Sequence, residues 1–476
     1  MQSLKPQYFQ IDVFFSSMVL CAVAILVGGG GVGAAIPNLV VQLASLAWFA
    51  LFPGGIRQLT VLRKYTGLLI LISVTFLVVI CQLVPLPAEI WHSLPGRNVA
   101  QSALKLVGMD GQAMPFSLDR NRTFIALLSL LPPLALLTIV LKMRWRDIER
   151  LMMALVGLGL LNFIIGGVQL VSAQRLLSFY PGAVASHLYG SFANHNSAGL
   201  FFVLVICMYL GFANHPSISS RRVIASVAVL ILFGSAVILT QSRSATALLI
   251  LPIVGVLFDV VLRGRGGRGR GEVGDYTARS LVMAAIVLVG CIAFASQNGK
   301  VAQTVQRFYL QDEIRPRVWG DTVHAIERFW PMGSGTGTFA DVFQLDESLE
   351  NVLPKTAGRA HNDYLEIALE TGGAGIAIMA GWAGWCLVTL LRASRGAAAR
   401  QGFAAGLGLC CIALQSIVDY PLRNQAMLCL FAILLGLLAR AGAARVDQVS
   451  GSVCVKSGSS LPIKRRKPDS RLAPPR

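Results

Sequence analysis

With 476 residues, 55% of them hydrophobic and only 13% charged, the chain departs from soluble globular composition, in which about a quarter of residues are charged. Apolar runs of about 17–25 residues, long enough to cross a roughly 30 Å hydrocarbon core as helices, recur along it, so the expected fold class is an all-α polytopic membrane protein. The formal charge of +18 would suit a nucleic-acid binder, but the basic residues gather in alternate short loops and in the C-terminal tail, as the positive-inside rule expects. No nucleic-acid partner is therefore expected.

Residues 1–11 are polar, and a first span is expected over 12–33. The small residues Gly33-Ala34-Ala35 allow a cleaved signal peptide as a rival reading, but a second span, 35–52, follows at once. It ends before Arg57, Arg63 and Lys64, which places that loop and the N-terminus inside. A third span, 67–84, ends at Pro85-Leu86-Pro87. The segment 85–122 has balanced charge and reads as an outer loop without catalytic spacing. Spans four (123–141) and five (151–171) flank an inside loop carrying Lys142, Arg144, Arg146 and Arg150. The nine cysteines lie almost all within apolar runs and read as small buried hydrophobes, with neither a disulfide framework nor a metal site indicated.

The stretch Gly190-Ser191-Phe192-Ala193-Asn194-His195-Asn196-Ser197-Ala198-Gly199 opens the sixth span. Small and amide residues at a helix start read first as caps and close-packing positions; Asn194, His195 and Asn196 are also candidates for lining a polar substrate groove. The seventh span (223–240) rises to Gln241-Ser242-Arg243-Ser244, and the eighth (245–262) descends directly. Arg243 then sits at the outer face on a turn too short to be a solvated loop. It reads either as a snorkelling interfacial arginine or as a functional cation placed against the topological trend. The glycine-rich basic stretch 263–271 reads as an inside loop with a topological role rather than an RNA or lipid site.

A ninth span (280–295) leads to the longest polar excursion, 296–360, expected to be extracytoplasmic. Within it Arg315-Pro316-Arg317 precedes Val318, Ala325, Ile326 and Phe329 at helical spacing, which predicts an amphipathic helix bounded by Pro316 and Pro331. The glycine turn Gly333 to Phe339 lacks the preceding strand and following Lys of a phosphate loop and reads as a tight turn docking that helix.

Next comes the polar cluster His361-Asn362-Asp363-Tyr364-Leu365-Glu366, continued to Glu370 and Thr371-Gly372-Gly373, at the mouth of the tenth span (373–391). An imidazole titrates near neutrality. A helix beginning here, capped by Asn362 or Asp363, disfavours a nearby cation and so favours a neutral His361 able to accept a proton. The eleventh span (403–418) rises to Asp419-Tyr420-Pro421-Leu422-Arg423-Asn424, and the twelfth (425–438) returns inside. The tail from Arg440, with Lys464-Arg465-Arg466-Lys467, reads as disordered and cytoplasmic. The expected architecture is about twelve transmembrane helices with both termini inside.

On this topology Arg243, Arg317, His361 and Asp419 with Arg423 converge on the outer face. Guanidinium groups suit a diphosphate, because they stay charged and bind phosphate oxygens bidentately. A base beside two such cations is equipped to move a group from a phosphate-activated donor to a hydroxyl. No acidic cluster is placed to hold Mg²⁺, so metal-independent chemistry without a cofactor is expected.

In chain order, Gly190 to Asn196, Ser242-Arg243-Ser244-Ala245, Arg317 with Trp319, Gly333 to Phe339, the His361 motif, and Asp419 to Arg423 resemble the signature of the O-antigen ligase and polymerase superfamily, the WaaL and Wzy type. The resemblance covers about 190–425. It implies a bacterial inner-membrane glycosyltransferase of the type C fold class, moving glycan from an undecaprenyl-diphosphate-linked donor to a glycan or lipid acceptor in the periplasm. Exopolysaccharide or lipopolysaccharide assembly would be its setting. By that similarity His361 is the base and Arg243 and Arg317 bind the diphosphate; Asn194, Asn196, Asn362, Tyr364, Glu366, Asp419 and Arg423 are candidates for groove or support. The implied organisation is N-terminal spans 1–189, a core 190–440 with the periplasmic loop 296–361, and a tail 441–476 that offers a contact for other assembly proteins. The 85–122 loop and the tail depart from the shared pattern. A transporter or flippase of lipid-linked oligosaccharide is the competing class. It should show helices interrupted at the midplane and paired repeats, whereas no clear internal repeat is found and the ionisable residues cluster at one face.

Overall fold

The computed structural model describes residues 13–31, 34–51, 55–212, 220–255, 314–352, 357–394, 396 and 398–457. The expected ninth span, the basic stretch 263–271, residues 296–313 and the Lys464 to Lys467 cluster lie outside these. The helices are α1 (Val13–Val27), α2 (Ala35–Leu51), α3 (Thr66–Cys81), α4 (Ala88–Ser93), α5 (Asn98–Leu106), α6 (Arg120–Ser129), α7 (Leu131–Lys142), α8 (Trp145–Val171), α9 (His195–Phe212), α10 (Ser220–Leu239) and α11 (Arg243–Leu248). They continue as α12 (Ile314–Phe329), α13 (Phe339–Val342), α14 (Asp363–Ala393), α15 (Ala399–Val418) and α16 (Gln425–Ser457). The strands described are β1 (Pro85–Leu86) and β2 (Met114–Pro115), an antiparallel pair with Pro85 opposite Pro115.

A helix that is apolar on every side belongs inside a bundle or against lipid, and both cases occur. α9 is buried from Asn196 to Tyr209, enclosed by α8, α10 and α15. α16 packs along α7, α14 and α15. By contrast, α14 beyond Gly373 leaves Ile376, Leu387, Val388 and Leu391 exposed, the face such a helix would turn to lipid.

Among the described residues six helices are long and apolar enough to cross a membrane: Arg120–Lys142 (α6 with α7), α8, α9, α14, α15 and the Gln425–Ala443 part of α16. They coincide with the expected fourth, fifth, sixth, tenth, eleventh and twelfth spans. The expected count of twelve is not reached among the described residues. The second span is a helix pair, Ala35–Leu51 and Ile56–Lys64, bent by 89°. The first and third are shorter apolar helices, Phe14–Gly30 and Thr66–Cys81; sixteen residues rise on the order of 24 Å, less than a hydrocarbon core. Within the expected seventh and eighth spans, apolar helix is described over Ala228–Leu239 and Arg243–Gly255, and residues 256–262 of the eighth lie outside the described residues. The C-terminal helix also differs from expectation. α16 runs on to Ser457, past the point where a disordered tail was expected to begin, through the helix-favouring run Ala439-Arg440-Ala441.

Two segments expected to be separate excursions form one cap over one end of the bundle. Leu118 N–H donates to the Ser334 carbonyl at 3.0 Å, and the Thr123 hydroxyl to the Thr336 carbonyl at 2.7 Å. Gln82 holds both sides: its Nε2 donates to the Glu370 carbonyl, and its Oε1 accepts from Thr336 N and Oγ1. Arg97 is fully buried between the rings of Trp91, Phe116 and Phe329, 5.5–5.7 Å from each, and donates to the Phe116 carbonyl. Burial in this aromatic box lowers its pKa to about 10. The 85–122 loop is thereby a structural support for the α12 segment.

α12 buries Val318, Ala325 and Phe329 against Phe339, Phe343 and Leu369, as its spacing predicts. The glycine turn after it is fastened to α14: Ser334 N–H donates to the Leu369 carbonyl and Gly335 N–H to the Glu370 carbonyl. Those carbonyls are free because α14 breaks at Gly372, which adopts φ 60° and ψ −145°. A Cβ there would lie 2.0 Å from the Pro331 carbonyl oxygen, so glycine is required by contact as well as by conformation.

Candidate functional site

The break at Gly372 separates a short amphipathic helix, Asp363 to Thr371, from the membrane-length part of α14. Asn362 is its cap, accepting from Tyr364 N–H at 2.9 Å and Leu365 N–H at 3.1 Å, which settles the choice between Asn362 and Asp363. The residue before it, His361, has φ 51°. A left-handed backbone at a non-glycine residue must be held by its surroundings, and it is: Trp319 Nε1 donates to the Ala360 carbonyl at 2.9 Å, and Ala360 N–H donates to Glu366 Oε1 at 3.0 Å.

So placed, the His361 ring is part-exposed (39%) and brings Nδ1 to 3.4 Å from Oδ1 of Asp419, which is buried at the end of α15. Tyr420 meets the imidazole edge to face at 5.0 Å. Burial, and then the Asp419 charge, pushes the Tyr420 hydroxyl up to about 12, so it stays protonated. Asn194 Nδ2 donates to both Asp419 oxygens at 3.2 and 3.4 Å, while its Oδ1 accepts from Asn196 N–H. Asn196 Oδ1 in turn accepts from the Ser242 hydroxyl at 2.7 Å, and Ser242 caps α11, whose first residue is Arg243. One hydrogen-bonded line thus joins His361, Asp419, Asn194, Asn196 and Ser242 to the start of the arginine helix, although these residues come from four separate stretches of sequence.

The acidic face behind His361 is a charge cluster. Asp363, Glu366 and Glu370, on one face of the short helix, are buried with 0–1% side-chain exposure. Arg423 reaches all three, at 2.6 Å to Glu370, 3.5 Å to Glu366 and 3.7 Å to Asp363. Arg359 pairs with Glu366 at 2.8 Å and lies over the Tyr420 ring at 5.9 Å. Asp363 also accepts from the Ser416 hydroxyl and Leu422 N–H. Burial works against the Arg423 charge, but the carboxylates of Glu370, Glu366 and Asp363 outweigh it and hold its pKa above the ordinary value. Tyr364 latches the same helix to α15, its hydroxyl donating to the Ala413 carbonyl at 2.9 Å. Glu366, Tyr364 and Arg423 thereby tie the His361 turn to α15 and its following turn. Among the described residues no three His, Cys, Asp or Glu side chains converge as a metal site.

A cavity of about 490 Å³ opens beside α15, lined by Arg243, Ser244 and Arg315 on its polar side and by Leu251, Leu414 and Val418 on its apolar side. A volume of that order suits a small-molecule head group, and the paired guanidiniums suit an anion with an apolar tail. Arg317, one of the two expected arginines, is exposed on the first turn of α12 and is not among the lining residues; Arg315, two positions earlier, is. His195 lies outside the hydrogen-bonded line, stacked edge to face on His187 at 4.8 Å.

The buried charge cluster and the His361–Asp419 pair lie among helices six of which, among the described residues, are long and apolar enough to cross a membrane. Residues 228–380, a segment that contains Arg243, Arg315, Arg317 and His361, match the family model described as O-antigen ligase, which supports the resemblance to the O-antigen ligase and polymerase superfamily. No curated protein matches the chain.

Two charged residues at the site were not singled out from sequence. Arg359 lies two residues before His361, and its proximity to the motif was the available signal. Arg315 was visible in the Arg-Pro-Arg run, but nothing local separates it from Arg317.

Proposed function

We propose that the chain is a bacterial inner-membrane glycosyltransferase that moves glycan from an undecaprenyl-diphosphate-linked donor to a hydroxyl acceptor at the periplasmic face. The observation that carries this reading is the part-exposed His361 paired through Nδ1 with buried Asp419, within a segment that matches the O-antigen ligase model. With Nδ1–H donating to Asp419, the Nε2 lone pair is the acceptor.

In the reaction, Nε2 takes the proton from the acceptor hydroxyl as its oxygen attacks the anomeric carbon of the donor sugar. The bond from that carbon to the diphosphate oxygen breaks, and its electron pair leaves with the lipid diphosphate. Arg243 and Arg315, with Arg317 on the same turn as Arg315, meet the charge on the departing phosphates, while Leu251 and Leu414 face the polyprenyl chain. The imidazolium formed faces the Asp419 carboxylate, which stabilises it, and then releases the proton to water. Asn194 keeps Asp419 aimed at the ring. In this scheme no metal ion takes part.

The test is purified protein with a defined undecaprenyl-diphosphate glycan and two acceptors, a second lipid-linked repeat and a lipid A core. Wild type should lengthen or transfer the glycan, and His361→Ala should reduce the rate by about 10²–10⁴-fold. Movement of donor across the bilayer with no glycosidic product from either acceptor would overturn the enzyme reading in favour of a transporter. A membrane-impermeant thiol probe should react with the Glu350→Cys variant in intact spheroplasts; a reactive Cys454 in the tail and a silent position 350 would reverse the orientation.

A further inference from the structure

The backbone around His361 is fixed by the bonds that Trp319 and Glu366 make with Ala360, but the His361 ring is held more loosely. It is 39% exposed and meets Asp419 at 3.4 Å, beyond the usual length of a strong hydrogen bond. One long contact on one nitrogen leaves an imidazole free to turn, and a neutral imidazole that turns exchanges its donor and acceptor nitrogens. A second contact on the ring is the phenol of Tyr420, edge to face with centroids 5.0 Å apart, an arrangement that aromatic pairs prefer. Tyr420 is itself fixed without help from His361. Its carbonyl accepts from Arg423 N–H at 3.1 Å, Pro421 after it is buried, and Leu422 N–H donates to Asp363. The Arg359 guanidinium lies 5.9 Å from the centre of its ring. The turn that carries Asp419 therefore also carries a fixed aromatic wall against the imidazole.

We propose that Tyr420 is a positioning residue, whose ring holds the His361 imidazole with Nδ1 toward Asp419 and Nε2 toward the acceptor hydroxyl; this rests on the glycosyl-transfer reading above. The ring does this rather than the hydroxyl, because the ring is what meets the imidazole, whereas the hydroxyl lies beside the Asn194 amide. Asp419 fixes which nitrogen carries the proton only while that nitrogen faces it. With the wall removed, the ring spends part of its time with the wrong nitrogen toward the acceptor, and substrate bound at those moments does not react. The effect therefore falls on turnover and leaves donor binding unchanged.

Solid-state NMR of the full-length protein in lipid, with ¹⁵N-labelled histidine and the His361 signals assigned by their loss in His361→Gln, reads the tautomer directly at a pH above ordinary imidazole titration. Wild type and Tyr420→Phe are expected to show the Nδ1–H tautomer alone, and Tyr420→Leu a mixture of the two. In the transfer assay with the undecaprenyl-diphosphate glycan, Tyr420→Phe should stay within about threefold of wild type, while Tyr420→Leu should lose about 10–100-fold in kcat at unchanged donor KM. Tyr420→Leu combined with His361→Ala should be no slower than His361→Ala alone, whereas a purely structural loss would add to it. Tyr420→Met serves as the second variant if Tyr420→Leu does not fold. A single Nδ1–H tautomer in the leucine variant, a mixture in Tyr420→Phe or wild type, a loss confined to KM, or a slowing that adds to His361→Ala overturns the proposal. Wild type that shows the expected tautomers yet forms no glycosidic product with either acceptor instead overturns the transfer reading, and the hold of Tyr420 on the ring stands.

Discussion

Replacing Arg423 with methionine separates a supporting role from a substrate-binding one. The side chain is 14% exposed and lies within 3.7 Å of three carboxylates that are themselves buried. With the guanidinium gone, Glu366 keeps Arg359, Asp363 keeps the Ser416 hydroxyl and Leu422 N–H, and Glu370 keeps only a 3.3 Å bond from Phe339 N–H. Removing one partner of a buried ion pair costs about 3–5 kcal/mol, because the remaining charge is uncompensated. Glu370, with the shortest contact and the weakest remainder, carries most of that. Unfolding in mixed detergent micelles, followed by tryptophan fluorescence, should therefore show Arg423→Met destabilised by about 3–5 kcal/mol. Combining it with Glu370→Gln should return about 1–3 kcal/mol relative to the sum of the single variants. Lipid-diphosphate affinity of the folded fraction should be unchanged. If Arg423→Met unfolds like wild type to within about 1 kcal/mol yet loses lipid-diphosphate binding, Arg423 faces the substrate and the supporting role assigned to it is wrong.

Asp419→Asn should keep the fold, because Asn194 still has an oxygen to donate to, but remove the charge opposite the His361 Nδ1–H; transfer should drop steeply, and the double variant with His361→Ala should be no slower than His361→Ala alone, as for residues that act as a unit. Asp321 anchors the segment after α13 by accepting from Ser348 N and Oγ and from Asn351 Nδ2. Burial opposes its charge, but these donors outweigh it and hold its pKa below the ordinary value. The stability it contributes is therefore present above the unfolded aspartate value of about 3.9 and is lost as pH falls through the depressed folded value. Hydrogen exchange at 343–352 should rise across that acid window in wild type and show no such step in Asp321→Asn. Gly372→Ala forces a side chain into a glycine-only backbone region and against the Pro331 carbonyl, and should cost at least about 1–3 kcal/mol in the same unfolding assay, with a matching loss of transfer as the His361 turn loosens.

Much of the molecule was legible because helix formation, capping and amphipathicity depend on near neighbours. The apolar runs at 151–171, 195–212 and 403–418 emerged as α8, α9 and α15; Val318, Ala325 and Phe329 share a buried face; Asn362 caps the helix after His361. The span count was less legible, since α3 is apolar along its length yet stops short of a hydrocarbon thickness. The break in α14 was likewise not legible, because the backbone at Gly372 answers a contact made far along the chain, with the Pro331 carbonyl.

By itself, then, the sequence determined an apolar helical protein with its ionisable groups gathered near a few helix ends, because period and propensity are local properties. Only the tertiary structure decided which of those groups meet. Asp419 reaches His361 across 58 residues, Arg359 and Arg423 both close on Glu366, and Arg315 rather than Arg317 shares the cavity with Arg243. Charge pairing falls off over a few ångströms in space without regard to distance along the chain, and no spacing of residues along the sequence encodes it.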